Sequence, residues 1–235
     1  MFNQLQELTK NQLLAKLPHE ELKNLLPNLE IVSLAQKQYI IEPNEPLPFV
    51  YFPLNSLLSL VTVMKDGSTV ECGCIGCEGM TGLPIILDAD TTPMEAFTQI
   101  SGQAVRIRSA IFKEAFDTGG VLQKLLYRYI HTTIVIASQT AACNRLHHLE
   151  ARMSRWLLMC SDSLESNSLP LTQEFLSTML GVRRSGVSEA ASKLQSKGLI
   201  HYQRGHIEIL DRKCLETCAC ECYRKVKTEY NRLFS

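Results

Sequence analysis

The sequence predicts an α+β fold in three consecutive parts: an N-terminal double-stranded β-roll or jelly roll, a long helix, and a C-terminal domain of helices and a β-hairpin. Short strand-like runs between turn residues fill residues 29–108. An uninterrupted helical pattern runs from Val121 to Asn144, and Leu171–Leu210 alternates helix-like and strand-like segments around single glycines. Because hydrophobic periodicity is the main signal for secondary structure, these patterns place the domains at residues 1–118, 119–146 and 147–235.

The N-terminal part is predicted to be a β-roll because its strands are short and regularly separated. Turn signals stand at Pro43–Pro46, Asp66-Gly67 and Ser101-Gly102. Many short strands with turns at this spacing are typical of a small barrel or jelly roll. The predicted strands are Phe49–Phe52, Leu57–Met64, Thr69–Ile75, Ala96–Ile100 and Ala104–Ile107.

The long helix carries apolar and small residues at alternating spacings of four and three, which is the pattern of a heptad seam. A helix this apolar needs two surfaces that cover it, and we expect its own domain and a second copy of the chain, which makes a homodimer. The alternative is a single helix buried inside one subunit. The predicted dimer seam consists of Leu122, Leu126, Tyr129, Thr133, Ile136 and Thr140.

The C-terminal pattern predicts a helix from Leu149 to Cys160, a polar linker at Ser161–Ser168 and then a winged helix-turn-helix. Thr172 is a suitable N-cap for a first helix, and Gly181 suits the left-handed residue that ends it. A second helix is expected over Arg184–Lys197, followed by strands at Ile200–Tyr202 and Ile207–Ile209. This arrangement places the second helix in the major groove of DNA. An ordinary helical hairpin with a solvated outer face is the alternative.

The second helix has a polar face that is predicted to contact a double-stranded DNA operator. Residues 1–145 hold 11 Lys and Arg against 14 Asp and Glu, whereas residues 146–235 hold 13 against 10. Residues 146–235 are therefore the more basic part of the chain, as phosphate binding requires. The candidate DNA-contacting residues are Thr172, Gln173, Arg183, Arg184, Ser185, Ser188, Glu189, Ser192, Lys193 and Arg204.

Composition predicts a cytoplasmic protein that has no membrane segment. Residues 1–18 form an amphipathic polar start rather than a signal peptide, and nine cysteines without an export signal indicate reduced thiols. The sequence has no nucleophile elbow and no Walker loop, so we expect no enzymatic activity. We also predict no cofactor.

These parts, in this order, resemble the Crp/Fnr family of bacterial transcription regulators. The resemblance covers nearly the whole chain. It implies a β-roll of the cyclic-nucleotide-binding type, a dimerisation helix, a winged helix-turn-helix and RNA polymerase as a partner. By match, Arg184, Ser185 and Glu189 would read bases, although the surrounding residues depart from the family's usual pattern. The segments that carry the resemblance are Leu171–Glu174, Leu180–Val182, Val187-Ser188, Leu194–Ile200, Cys143–Arg152 and Trp156–Leu158.

The resemblance also implies an effector site in the β-roll. The candidates Glu78, Gly79, Met80, Thr81 and Gly82 lie where the family's phosphate-binding segment begins. Nucleotide-binding members follow it with an arginine, because a buried phosphate needs a cationic partner. The matching residues 91–96 contain no arginine but do contain Glu95. We therefore expect an unknown small-molecule effector rather than cyclic AMP.

The cysteines allow a second hypothesis: a redox or metal sensor whose helix-turn-helix binds protein. Cys72, Cys74 and Cys77 have a spacing that could hold zinc or an iron–sulfur cluster, but free cysteines are usually small buried hydrophobes. No metal site is therefore predicted. Cys214, Cys218 and Cys222 are expected on one face of a single C-terminal helix, with Cys220 off that face. His147 and His148 are expected to be surface residues at a helix junction.

Overall fold

The computed structural model describes residues 6–235, so the first five residues of the predicted amphipathic start lie outside the described part. The chain divides into two compact units. Unit 1 comprises the residues up to Leu60 together with Cys74–Ile134 and Glu229–Ser235, and unit 2 comprises Val61–Gly73 and Val135–Thr228. The long helix contributes to both units, and the three-domain division remains a prediction.

The strands of the β-roll lie in two sheets, as the sequence pattern predicts. One sheet has the order β1-β7-β3, in which both strand pairs are antiparallel, and the other has the order β2-β6-β4-β5. Strands β1 and β2 precede the runs that the sequence singled out. The strands are β1 (Glu30–Leu34), β2 (Tyr39–Ile41), β3 (Phe49–Pro53), β4 (Leu57–Val63), β5 (Thr69–Ile75), β6 (Glu95–Ile100) and β7 (Gly102–Arg108).

The core of unit 1 forms where alternate residues of β3 and β7 face helices. Val50 and Phe52 point inward together with Val105 and Ile107, since successive strand residues face opposite sides. Leu126 of the long helix is fully buried in the same cluster. The short helices of unit 1 include α1 (Gln12–Ala15), α2 (His19–Leu25), α3 (Leu83–Ile86) and α4 (Ser109–Asp117), with a 3₁₀ turn at Leu26–Asn28.

The long helix, α5 (Gly120–Leu146), confirms the predicted uninterrupted helix. Gly119 precedes the helix and Gly120 begins it, with φ values of 89° and 84°, a conformation that favours glycine. The carboxylate of Glu21 accepts hydrogen bonds from the backbone amides of Val121 at 2.9 Å and Leu122 at 2.8 Å. It thereby satisfies two donors that a helix start leaves unpaired.

Unit 2 contains the predicted helix-turn-helix, with two corrections around it. The segment expected to be a polar linker, Ser161–Ser168, instead continues a helix to Leu164 and then begins a strand at Ser168. Ser161 and Ser163 are small enough to be buried in that helix. The wing is a three-stranded antiparallel sheet because Leu169 pairs with Ile207. The elements are α6 (Leu149–Leu164), β8 (Ser168–Leu169), α7 (Gln173–Leu180), α8 (Arg184–Ser196), β9 (Ile200–Gln203) and β10 (His206–Ile209).

The C-terminal segment forms two helices, α9 (Arg212–Cys218) and α10 (Glu221–Phe234), where the sequence predicted one. Ala219 has extended backbone angles, φ −69° and ψ 151°, and ends α9. Cys214, Cys218 and Cys222 therefore do not share one helical face. Among residues 6–235, no helix is both long and apolar enough to cross a membrane.

Candidate nucleic-acid interface

The two helices of the helix-turn-helix are fixed by local signals. The Thr172 hydroxyl accepts a hydrogen bond from the Phe175 amide at 3.2 Å, which caps α7. Gly181 follows with φ 62° and turns the chain toward α8. Helix α8 buries the face formed by Val187, Ala190, Ala191 and Leu194. Packing of this apolar face therefore directs the opposite, polar face of α8 outward.

The predicted DNA-contacting residues lie on this outward side or next to it. Eight are exposed, and Gln173 and Ser188 are half-buried. Arg183 is the N-cap residue of α8, which puts Arg184 and Ser185 in its first turn. The eight exposed residues are Thr172, Arg183, Arg184, Ser185, Glu189, Ser192, Lys193 and Arg204.

A groove of about 360 Å³ separates the start of α7 and α8 from the wing. The helices contribute Thr172, Gln173 and Arg184 to its lining, and the wing contributes Tyr202, Arg204 and Gly205. Arg204 and Gly205 both have positive φ, 49° and 79°, which forms the tight turn. Tyr202 was missing from the predicted site, although its place in β9 and the strand alternation could have indicated it.

One acidic side chain lies on the same face. The Lys193 ammonium is 2.7 Å from the Glu189 carboxylate, one helical turn away. Its hydrogen bond lowers the pKa of Glu189 below the ordinary value. Glu189 therefore stays ionised and can accept a hydrogen bond from a base amino group, such as that of cytosine.

The predicted dimer seam is largely covered within one chain. Leu122, Leu126, Tyr129 and Ile136 are all buried, and Thr133 and Thr140 are half-buried. Two large, exposed apolar side chains in the middle of α5 lie one or two positions away from the seam. Tyr127 is 55% exposed and Ile134 is 60% exposed, and exposed Ala141 continues the same seven-residue spacing.

The predicted effector segment is a buried turn whose backbone amides are used inside the protein. The Gly79 amide donates to the Gly76 carbonyl at 3.1 Å, and the Thr81 amide donates to the Tyr51 carbonyl at 2.9 Å. The Tyr129 hydroxyl accepts from the Met80 amide at 3.1 Å and donates to the Met80 carbonyl at 3.2 Å. Burial raises the pKa of Tyr129, so this hydroxyl keeps its proton.

Glu78 and Gly82, the other two residues of this segment, are also enclosed by the fold. Glu78 is buried and accepts a hydrogen bond from the Gly76 amide at 3.0 Å. Gly82 has φ 82°, and a β-carbon there would lie 2.7 Å from Val50 Cγ2. The segment therefore acts as a packed turn of the β-roll in this structure.

Glu95 begins strand β6 near a second carboxylate. Partial burial and the charge of Glu42 both raise the pKa of Glu95 above its ordinary value. Two carboxylates that repel each other form a poor environment for a phosphate anion.

A cluster of cysteines and histidine, missed in the sequence, lies elsewhere in unit 2. Cys143, His147, Cys220 and Cys222 bring their ligand atoms within 4.8 Å of one another. The Cys143 and Cys220 sulfurs are 3.5 Å apart, as are the Cys222 sulfur and His147 Nδ1. A hydrogen bond from the Cys143 thiol lowers the pKa of Cys220, whereas the same pairing raises the pKa of Cys143. His147 is therefore not an isolated surface residue.

The cysteines that the sequence singled out as weak metal candidates have other contacts. The Cys72 sulfur is 3.1 Å from the Thr62 hydroxyl, and buried Cys77 accepts a hydrogen bond from the Gln12 amide at 3.7 Å. Within the described residues, neither these two nor Cys74 belongs to a group of three possible metal ligands.

Comparisons with known proteins agree with this architecture. A model of the Crp-like helix-turn-helix domain matches residues 151–218. A search of curated protein sequences gave no match. Three solved structures illustrate the similarity in fold.

A protein assigned to the Crp/Fnr regulators of Eubacterium rectale ATCC 33656 is 19% identical, with a TM-score of 0.68 over 89% of this chain and 98% of its own. FixK2 of Bradyrhizobium japonicum is 15% identical, with a TM-score of 0.70 over 82% of this chain and 98% of its own. A CRP-family transcriptional regulator of Thermus thermophilus is 18% identical, with a TM-score of 0.65 over 80% of this chain and 96% of its own.

At these identities the solved structures show the fold, and the domain match identifies the helix-turn-helix. Unit 2 contains every residue of the matched range. Residues 151–218 therefore form a Crp-like helix-turn-helix domain, and the chain has a fold similar to that of solved Crp/Fnr regulators over most of its length.

Proposed function

We propose that this protein is a sequence-specific DNA-binding transcription regulator that acts as a homodimer. The observation that carries the proposal is the outward polar face of α8 beside the wing groove. That face presents Arg184 and Ser185 in the first turn of α8, and the groove adds Arg204. The N-terminal residues of a recognition helix are those that reach base edges, while wing and N-cap groups hold phosphates.

The dimer is proposed to form along the exposed stripe of α5, rather than along the buried seam. Tyr127 and Ile134 are large, apolar and more than half exposed, and they are seven residues apart. A two-fold axis along this helix would bring each stripe against its own copy, which is the geometry of an isologous interface. A dimer then presents two recognition helices to two half-sites of one operator.

A pair of neighbouring substitutions tests the dimer. Ile134→Glu would place a charge in the proposed interface, and we expect folded monomers by light scattering and circular dichroism. Ile136→Glu would instead bury a carboxylate in the chain's own core, so the same instruments should show unfolding or aggregation. A dimer that survives Ile134→Glu would refute the exposed-stripe interface.

DNA binding is tested by selecting duplexes from a random pool and measuring their affinity as salt increases. Neutralising several phosphates releases counterions, so affinity should fall by about 10³-fold or more between low and moderate salt. Selected duplexes should also bind more tightly than random ones. If no sequence is enriched and salt has little effect, the helix-turn-helix is not a DNA-binding module, and the protein-interaction alternative gains support.

The effector is proposed to be a small molecule other than cyclic AMP, and RNA polymerase is the partner that the family resemblance implies. Support for the first point comes from the engaged amides of Gly79, Met80 and Thr81 and from Glu95 beside Glu42. We also propose that the protein acts in the cytoplasm and catalyses no reaction.

A further inference from the structure

The cysteine–histidine cluster lies where the end of α5 meets the start of α10. Cys143 and His147 are one helical turn apart, at the end of α5 and just after it. Cys220 lies in the break before α10, and Cys222 lies in its first turn. Three of the four side chains are buried, and His147 is partly exposed. Within the described residues this is the one group of three or more possible ligands whose atoms converge.

We propose that Cys143, His147, Cys220 and Cys222 bind one zinc ion in a tetrahedral Cys₃His site. Zinc–sulfur bonds of about 2.3 Å and zinc–nitrogen bonds of about 2.0–2.1 Å require sulfurs about 3.8 Å apart and sulfur–nitrogen pairs about 3.6 Å apart. The observed separations are 3.5 Å for Cys143–Cys220 and 3.5 Å for Cys222–His147. All four ligand atoms lie within 4.8 Å of one another, so side-chain shifts of about 1 Å or less bring them to tetrahedral distances around one ion.

The orientation of His147 supports this site independently of the sulfur distances. Nδ1 faces Cys222, and Nε2 is 3.2 Å from the Glu221 carboxylate. A histidine that binds a metal through one nitrogen usually donates from the other to a carboxylate, which fixes the ring and its tautomer. Gln139 Nε2 also donates to the Cys222 sulfur at 3.0 Å, as expected for a group that supports a thiolate ligand.

Charge gives a third argument. Three thiolates around Zn²⁺ carry a net charge of −1. Arg152 and Arg155 interact electrostatically with Cys143, and Arg155 is only 5% exposed. Their Nε atoms are buried and have no hydrogen-bond partner among the described residues. The buried guanidinium of Arg155 and the half-buried one of Arg152 need nearby negative charge, and an anionic metal–thiolate site supplies it.

The ligand set selects one zinc ion rather than a cluster. In an iron–sulfur cluster the thiolates bind different iron atoms and lie further apart than ligands of a single ion. Four protein ligands leave no coordination position for water or substrate, which is typical of structural zinc. The ion would tie α10 to the end of α5 inside unit 2, across a separation of 77 positions between Cys143 and Cys220.

The test begins with metal analysis of the full-length protein, purified under reducing conditions without chelator or metal-affinity resin. We expect one zinc per chain by elemental analysis. Removal of the metal and titration with cobalt should give thiolate-to-cobalt charge transfer and the strong visible bands of tetrahedral cobalt, saturating at one equivalent. Protein that contains no zinc and binds no cobalt would overturn the proposal.

Variants assign the ligands. Cys222→Ser and Cys143→Ser should lose stoichiometric zinc, whereas Cys214→Ser and Cys218→Ser, on neighbouring α9 outside the cluster, should keep it. Full retention of zinc by Cys222→Ser would refute the site.

A further variant avoids the risk of misfolding, because the Glu221 side chain is 56% exposed. Glu221→Gln should still give the cobalt spectrum, but with zinc affinity lowered about 10- to 100-fold by the loss of the carboxylate that orients His147. An unchanged affinity would show that His147 is not held as a ligand, and would count against the Cys₃His assignment.

Discussion

The polar face of α8 and the Glu78–Gly82 turn are both candidate sites, yet their polar groups differ: those of α8 face outward, whereas those of the turn are bonded within the protein. On α8 the polar side chains point outward, and a buried apolar face holds them there. In the turn, Glu78, Met80 and Thr81 are buried, and the backbone amides donate to protein atoms. A group that already has a protein partner has little to gain from a ligand.

The difference teaches that glycine-rich spacing predicts a turn but does not show that the backbone amides of that turn are free to bind a ligand. A phosphate-binding turn needs amides that point at solvent or at the anion. In this chain the Tyr129 hydroxyl occupies the place where such an anion would accept from Met80, and a β-carbon at position 79 would lie 2.5 Å from it. The first region therefore offers contacts to a partner, and the second stabilises its own unit.

Met80→Ala is expected to give the largest effect, a loss of stability that would show that the turn supports its own unit. Met80 is fully buried, so truncation should lower the free energy of unfolding by about 2–5 kcal/mol, the cost of removing a large core side chain. Met64→Ala is the matched control because Met64 is 56% exposed, and it should cost less than about 0.5 kcal/mol. Urea titrations at one fixed protein concentration measure both. Equal effects would mean that the turn does not stabilise the unit.

Arg184→Ala probes the other region and should leave stability unchanged. Arg184 is exposed in the first turn of α8, where its guanidinium can make two hydrogen bonds to a guanine. We expect a loss of about 1–3 kcal/mol in binding to a selected operator, with little change on random duplex. Fluorescence anisotropy on both DNAs measures the difference. Arg224→Ala, an exposed arginine on α10, is the control.

One result would contradict the Arg184 prediction. Equal weakening on operator and random DNA would make Arg184 a phosphate contact, and base reading would then have to come from other residues of the face.

Neighbouring tyrosines give a smaller and more specific test. Tyr129→Phe keeps the ring but removes the hydroxyl that bonds both the amide and the carbonyl of Met80. The free energy of unfolding should fall by about 1 kcal/mol, because a buried amide loses its acceptor. Tyr127→Phe should change it little, because it keeps the apolar ring of the proposed dimer stripe and Tyr127 is 55% exposed within one chain. If thermal or urea unfolding ranks the two variants the other way, the hydroxyl does not support the turn.

Sequence reasoning predicted well what is decided locally. The Thr172 cap, Gly181 and the alternation in the wing strands are short-range signals, and the corresponding elements form as expected. The strand β8 was missed because Leu169 pairs with a residue far along the chain, Ile207. Pairing of that kind leaves no pattern within the segment itself.

The features that sequence reasoning missed depend on long-range packing. Apolar periodicity on α5 was visible, but it could not show that Leu126 and Tyr129 are covered by their own unit. His147 and Cys220 are likewise brought together only by the fold, after the unpredicted helix break at Ala219. Two of these cysteines, Cys220 and Cys222, are close in sequence, and the C-x-C spacing was the one signal that could have drawn attention to them.

The smallest expected effect is the absence of a response to cyclic AMP. A ligand that binds only the folded protein stabilises it by about 2.7 kcal/mol when present at 100 times its dissociation constant, which would raise the melting temperature of a chain this size by several degrees. Residues 91–96 provide no arginine for the phosphate, and the carboxylates of Glu95 and Glu42 repel each other. Binding would also have to break the hydrogen bonds of Met80 and Thr81. Millimolar cyclic AMP should therefore shift the melting temperature by less than about 0.5 °C and leave operator affinity unchanged. A clear upward shift that Glu78→Ala abolishes would restore a nucleotide pocket to this turn and remove the contrast with the recognition helix.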